Sequence, residues 1–231
     1  MIAIIGAMEL EVAELAAAMQ QPQVTEKANM KFTSGLLDGV PAVAVRSGVG
    51  KVNAAVCTQI LADCFGAGAL VNTGIAGGVA PQVGIGDIVL SSSAQQHDMN
   101  VQLFGYAMGA IPQQECSDFP ADPRLLEAAR QSCAECLPDV RVHVGKIVSG
   151  DLFVSAAGQK AKLWERFGAL CAEMEGAAIA HAAWLNHIPY LVVRTISDNA
   201  DADAVKDYPA FEREAAVRSA LLVRHMISKL G

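Results

Sequence analysis

The chain has 231 residues, 52% of them apolar and 18% charged, which supplies a sizeable core for one large domain and excludes a disordered chain. A formal net charge of -7 argues against nucleic acid or an anionic membrane as the main partner. The chain has no uninterrupted apolar run of the ~18 residues a membrane span needs, and its apolar start lacks the basic region of a secretory signal, so a cytoplasmic protein is expected.

Short apolar runs alternate with helical patterns along the chain. Residues 2–5 predict a strand and residues 10–19 a helix with Leu and Ala on one side. Residues 42–45 are strand-like, and residues 52–64 carry apolar side chains at helical spacing. Residues 69–71 predict a short strand that runs into a loop, Asn72-Thr-Gly-Ile-Ala-Gly-Gly. Residues 87–90 predict another strand. Residues 95–120 are irregular and rich in Gly, Pro, Met and aromatics, which suits a lid, a binding loop or an interface segment. Residues 140–148 are β-rich, 173–184 read as an apolar helix, 190–196 as a buried strand and 212–230 as an amphipathic terminal helix.

This alternation predicts an α/β fold in one domain over residues 1–231. Its form is a three-layer sandwich, with helices on both faces of a central mixed, largely parallel sheet. Cys57, Cys64 and Cys171 fall in apolar helix-like stretches. The Cys133-x-x-Cys136 pair has no second such motif and no paired histidine with it, so both residues are expected to be ordinary helix residues.

In open α/β sheets ligands sit beyond the carboxyl ends of the strands. The first strand delivers Met8, Glu9 and Glu11 there. The strand at 69–71 delivers the glycine-rich Gly74–Gly78, and the strand at 190–196 delivers Ser197 and Asp198. Glu173 and Glu175 open an otherwise apolar helix. Acids in a first helical turn stabilise the macrodipole by ~0.3–1 kcal/mol, so each has an ordinary structural explanation. Three separate elements bringing carboxylates to one sheet edge point further, to an active site.

Other motifs fail. Gly48-Val-Gly-Lys51 lacks the spacing and the hydroxyl of a phosphate loop, and the first turn, Gly6-Ala-Met-Glu, lacks the dinucleotide glycines. The histidines His97, His143, His181, His187 and His225 are dispersed, with His97 alone beside other unusual residues, and no metal site or cofactor is expected.

Several stretches taken together resemble the methylthioadenosine/S-adenosylhomocysteine nucleosidases. They are Ile-Ile-Gly-Ala-Met-Glu-Leu-Glu at the start, Ser47-Gly-Val-Gly-Lys-Val-Asn, Asn72-Thr-Gly-Ile-Ala-Gly-Gly, Gly86-Asp-Ile-Val, Val148-Ser-Gly-Asp-Leu-Phe, Glu173-Met-Glu-Gly-Ala-Ala and Arg194-Thr-Ile-Ser-Asp. They stand in the family's order and span nearly the whole chain. The resemblance implies a nucleoside phosphorylase-like fold and hydrolysis of the N-glycosidic bond of 5′-substituted adenosines.

It also implies roles. Asp198 matches the acid that protonates adenine N7 and must carry a proton when adenine binds. Glu11 matches the base that polarises water, and Glu175 the residue that holds the ribose hydroxyls. Met174 matches a residue that packs on the sugar, Phe153 the ring that stacks on adenine, and Val154 a backbone that reads the purine edge. Arg194 and Glu173 are implied near the water and ribose, Ser197 beside the acid, and Ile75, Ala76, Gly77 and Ala200 around the ligand. Met8, Val49 and Tyr208 are implied to line the sugar and the 5′ substituent. Phe104 and Pro112 match residues lent across a homodimer interface to the neighbour's 5′ pocket. Ile75 departs from the Ser of several relatives, and Tyr208 from their Phe. The 5′ substituent is left open between methylthio, homocysteine, deoxy and futalosine types.

The nearest rival, a purine nucleoside phosphorylase, needs a cationic phosphate site. Here the N-terminal loop holds Glu9 and Glu11 and no Lys or Arg before Lys27. A non-catalytic binding protein of the same fold would not need the acid, the base and the ribose carboxylate together.

Overall fold

The structure, a computed structural model, describes residues 1–156, 158–200 and 204–230, with the side chains of 204–210 and 212 excepted. The side chain of Tyr208 and the Asp201-Ala-Asp203 segment lie outside the described residues.

In chain order the elements are β1 (Ile2–Gly6), α1 (Glu9–Ala17), β2 (Gln20–Lys27), β3 (Met30–Leu37), β4 (Val40–Arg46), α2 (Lys51–Phe65) and β5 (Ala69–Gly78). There follow β6 (Ile88–Gln96), a 3-10 turn (Gln102–Phe104), β7 (Asp118–Pro120), α3 (Pro123–Cys136), β8 (Val142–Ser149) and α4 (Gln159–Phe167). The chain ends with β9 (Cys171–Glu173), α5 (Gly176–Leu185), β10 (Tyr190–Asp198) and α6 (Ala204–Ser228). This is the expected α/β architecture in one domain with a mixed sheet. Helices α1, α3 and α6 pack together, as do α2 and α5.

The parallel pairings are β1 with β4 and β5, β5 with β10, β6 with β8, and β8 with β9. The central strands β1 and β10 are buried along their whole length; β1 and the start of β10, Tyr190–Val193, read as apolar runs, and Arg194 and Asp198 are the buried charged groups of β10. The sheet is not open throughout. β10 pairs with both β5 and β6, β6 with β8, β8 with β9, and β9 returns antiparallel to β5. These five strands close into a ring.

Several sequence expectations are corrected. Asn72–Gly78 is not a loop, because β5 continues through it, and its glycines let β9 approach at Gly77 and Gly78. Glu173 does not open a helix. It ends β9, and α5 begins only at Gly176, with Glu175 at its N-cap position. Cys171 therefore lies on a strand, and Cys64 on α2 is exposed. The segment 95–120 is partly ordered, with β6 reaching Gln96 and β7 pairing back on it. Polar Ser and Gln in the second half of β6 hide it from a hydrophobicity reading.

The β2–β3 hairpin also escapes that reading, since β2 is exposed throughout and carries Pro22, as an edge strand does. The dipeptide Asp38-Gly39, with φ of 50° and 86°, joins β3 to β4 and is the signal that reveals this hairpin chain.

Phe32 on β3 is fully buried and stacks on Phe65 of α2 at 4.9 Å between ring centroids. Phe32→Ala is expected to lower stability by ~3–5 kcal/mol. Urea unfolding checks this, and a loss below ~1 kcal/mol contradicts the packing described.

Candidate active site

A cavity of about 470 Å³ collects residues that follow β1, β4 and β8 and residues at the ends of β5, β9 and β10. It draws on strands of both directions, as the ring closure requires, and not on one edge of an open sheet.

Glu11 occupies the first turn of α1 and is 4% exposed. One carboxylate oxygen accepts the N–H groups of Ala7 at 2.7 Å and Met8 at 2.9 Å, and the other accepts the Ile75 N–H at 3.2 Å. The helix-start role and the cavity role thus fall on the same group. Burial pushes its carboxyl above the usual 4.5, against the charge of Arg194 and the backbone N–H bonds.

Glu173 accepts from the N–H groups of Glu175 at 3.0 Å and Gly176 at 2.8 Å, from the Ser149 hydroxyl and from the Arg194 guanidinium. Burial raises its pKa, but the charge and hydrogen bonds of Arg194 outweigh it, and the carboxyl is held below its ordinary value. Glu175 receives weaker compensation. Its Oε1 accepts the Gly50 N–H at 2.9 Å and its Oε2 lies 3.9 Å from Arg194. Burial, and then the charge of Glu173, push it up to about 8.

Arg194, 1% exposed, lies beneath these groups on β10. It donates to Asn72 Oδ1 at 2.5 Å, and Asn72 is itself fixed by donating to the Ile5 carbonyl at 2.9 Å. Asp198 ends β10 and is 2% exposed. The Ser197 hydroxyl donates to its Oδ2 and the Ala200 N–H to its Oδ1, both at 2.8 Å.

Glycine is required at two points by contact. A Cβ on Gly77 would lie 2.8 Å from Asp198 Oδ1, and one on Gly74 would collide with Glu11 and lie 2.9 Å from Arg194 Nη1. The glycine-rich segment exists for close approach of backbone to carboxylate, not for a turn.

Of the residues singled out in the sequence, Met8, Glu11, Val49, Ile75, Ala76, Gly77, Phe153, Val154, Glu173, Met174, Glu175, Ser197 and Asp198 line the cavity. Arg194 underlies it and Ala200 is buried against Gly77. Phe104 and Pro112 are not among the described lining residues, and Phe104 is 80% exposed. Ala7, Leu152 and Ala172 also line it and escape the sequence reading. They carry no polar group, and their one signal is that each adjoins a residue that was singled out. Among the described residues no group of three or more His, Cys, Asp or Glu is arranged to hold a metal ion.

The family model of the Phosphorylase superfamily matches residues 1–228. A 5′-methylthioadenosine/S-adenosylhomocysteine nucleosidase from Chromohalobacter salexigens is 42% identical over 231 residues, which is 100% of this chain and 97% of that protein. The crystal structure of such a nucleosidase from Colwellia psychrerythraea, in complex with adenine, matches with a TM-score of 0.95 and 38% identity over 99% of this chain and 95% of that one. The Neisseria meningitidis nucleosidase in complex with methylthio-immucillin-A matches with a TM-score of 0.94 and 36% identity over 99% of this chain and 98% of that one. The chain therefore belongs to the phosphorylase superfamily and, within it, to the 5′-methylthioadenosine/S-adenosylhomocysteine nucleosidases.

Proposed function

We propose that the chain hydrolyses the N-glycosidic bond of 5′-methylthioadenosine, S-adenosylhomocysteine and related 5′-substituted adenosines, releasing adenine and the 5′-substituted ribose. The observation that carries this reading is the charge of the cavity. Among the described lining residues every charged side chain is a carboxylate, namely Glu11, Glu173, Glu175 and Asp198. Such a lining presents phosphate with no cation, Arg194 beneath it being bound to Glu173, and it suits activation of water and stabilisation of a ribosyl cation.

In this reading the adenine ring stacks on Phe153 and its edge meets the Val154 backbone, while Met174 and Met8 pack on the sugar. Asp198 protonates N7, which turns adenine into a competent leaving group, and Ser197 orients the acid. Glu11 draws a proton from water, and its raised pKa makes it a stronger base than an ordinary glutamate. Glu175 accepts from the ribose hydroxyls, and the cation developing beside it favours its ionised form. The products feed methionine salvage. Six free thiols suit a reducing compartment, and we place the protein in the cytoplasm.

A homodimer completes the site in this reading, with Phe104 and Pro112 of one copy covering the 5′ pocket of the other. Its support is the apolar surface left open in one chain, where Val52 is 74% and Leu103 99% exposed.

Three outcomes are expected. Adenine release from methylthioadenosine proceeds equally with and without phosphate, and Asp198→Asn slows it ~10²–10⁴-fold. Strict dependence on phosphate would make the chain a phosphorylase, and near-normal turnover in the variant would remove Asp198 from the acid role.

The second concerns pH. Folded Glu175, pushed up to about 8 from an ordinary 4.5, holds a proton that it loses on unfolding. The folded state then binds more protons at this site between these values, so the contribution of Glu175 to stability is greatest below about pH 4.5 and declines until about pH 8. Thermal melting across this window should fall more steeply for the wild type than for Glu175→Gln, by ~1 kcal/mol per pH unit. Parallel curves would contradict it.

In the third, Phe104→Ala raises KM for methylthioadenosine roughly tenfold with unchanged melting, as loss of a buried aromatic anchor does. A fully active monomer on size-exclusion chromatography would refute the shared pocket.

A further inference from the structure

Gly48-Val-Gly-Lys51 fails as a phosphate loop, yet its lysine is firmly engaged. The Lys51 ammonium donates to Asp98 Oδ1 at 2.7 Å and lies 3.9 Å from Asp151 Oδ2. The Lys51 backbone N–H donates to Asp151 Oδ1 at 2.8 Å, and Asp98 Oδ2 accepts the Asp151 N–H at 3.0 Å. Three segments distant in sequence thus close a ring of hydrogen bonds: the start of α2, the residues after β6 and the turn after β8. Burial pushes the Asp98 carboxyl up, but the bonds from Lys51 and Asp151 outweigh it and keep it below its ordinary range. His97 sits under the same turn, so close that a Cβ on Gly150 would lie 2.5 Å from its Nε2, and its backbone N–H donates to Ser149 at 2.9 Å.

Two ligand-facing parts hang from this ring. On one side Gly50, the neighbour of Lys51, donates to Glu175 Oε1 at 2.9 Å. On the other, Leu152 follows Asp151 in the chain, and then come Phe153 and Val154, which line the cavity with it. Lys51, Asp98 and Asp151 are not among the described lining residues.

We propose that Lys51, Asp98 and Asp151 are positioning residues that fix the separation between the Glu175 side and the Phe153 side of the cavity, so that a purine joined to a sugar is held in one registered pose. This rests on the nucleoside reading of the cavity. A joined ligand gains from correctly spaced subsites, whereas a fragment that fills one subsite does not.

Calorimetric titration with adenine, and with a 5′-methylthio nucleoside of 7-deazaadenine that offers no N7 to protonate, tests it. Asp98→Ala and Lys51→Met should weaken the nucleoside about tenfold and adenine less than about twofold, with Lys51→Arg restoring most of the loss. Melting curves show whether each variant is folded, and if Asp98→Ala is not, the contrast between Lys51→Met and Lys51→Arg carries the test. Equal weakening of both ligands, or weakening of neither, overturns the positioning role. A wild type that binds both ligands but releases no adenine from methylthioadenosine overturns the proposed hydrolysis and leaves the positioning comparison decisive on its own. A wild type that binds neither overturns both.

Discussion

Arg194 allows three glutamates to share one buried floor. Each ionised carboxylate taken out of water costs several kcal/mol unless charge and hydrogen bonds compensate it. Arg194 compensates them unequally. Glu173 receives the guanidinium directly and is held ionised. Glu175, 3.9 Å away, and Glu11, reached through space, keep raised proton affinities. One cation among three acids therefore yields one fixed anion and two carboxyls with raised proton affinity. Asn72 contributes by aiming Arg194 from β5, which gives this fully buried amide its partner.

The sequence displayed the layered α/β pattern and most of the cavity lining, for definite physical reasons. β1, the middle of β4 and the first half of β10 are buried on both faces, so their apolar runs are continuous and easily seen. Glu11, Glu175 and Asp198 stand just past such runs or at a helix start, where an acid is conspicuous. The elements that stayed hidden are those held by something other than side-chain hydrophobicity. β2 is an exposed edge, the second half of β6 is Ser and Gln, and the end of β5 is glycine-rich. Their backbone hydrogen bonds are supplied by partners distant in the chain, which a local window cannot include.

The glutamates also show that a structural and a chemical explanation need not compete. Glu11 satisfies the free N–H groups at the start of α1, and Glu173 those at the start of α5. Each carboxylate is fixed by the backbone N–H groups it accepts at a helix start, without recourse to flexible loops. A function assigned to these residues from mutational loss must therefore be separated from the fraying of a helix end.

The ring formed by β5, β10, β6, β8 and β9 has a consequence for how the protein diversifies. A closed circuit of strands has no hinge, so the floor that holds Asn72, Arg194, Glu173 and Asp198 cannot open or slide as one edge of a flat sheet can. Traffic of ligand and change of preference are left to the segments that rise from the ring and line the cavity, the turn after β4 and the turn after β8. Lineages can redraw those rims freely while the acid floor stays as it is, and differences in what is accepted at the 5′ end can accumulate without disturbing how the bond is cut.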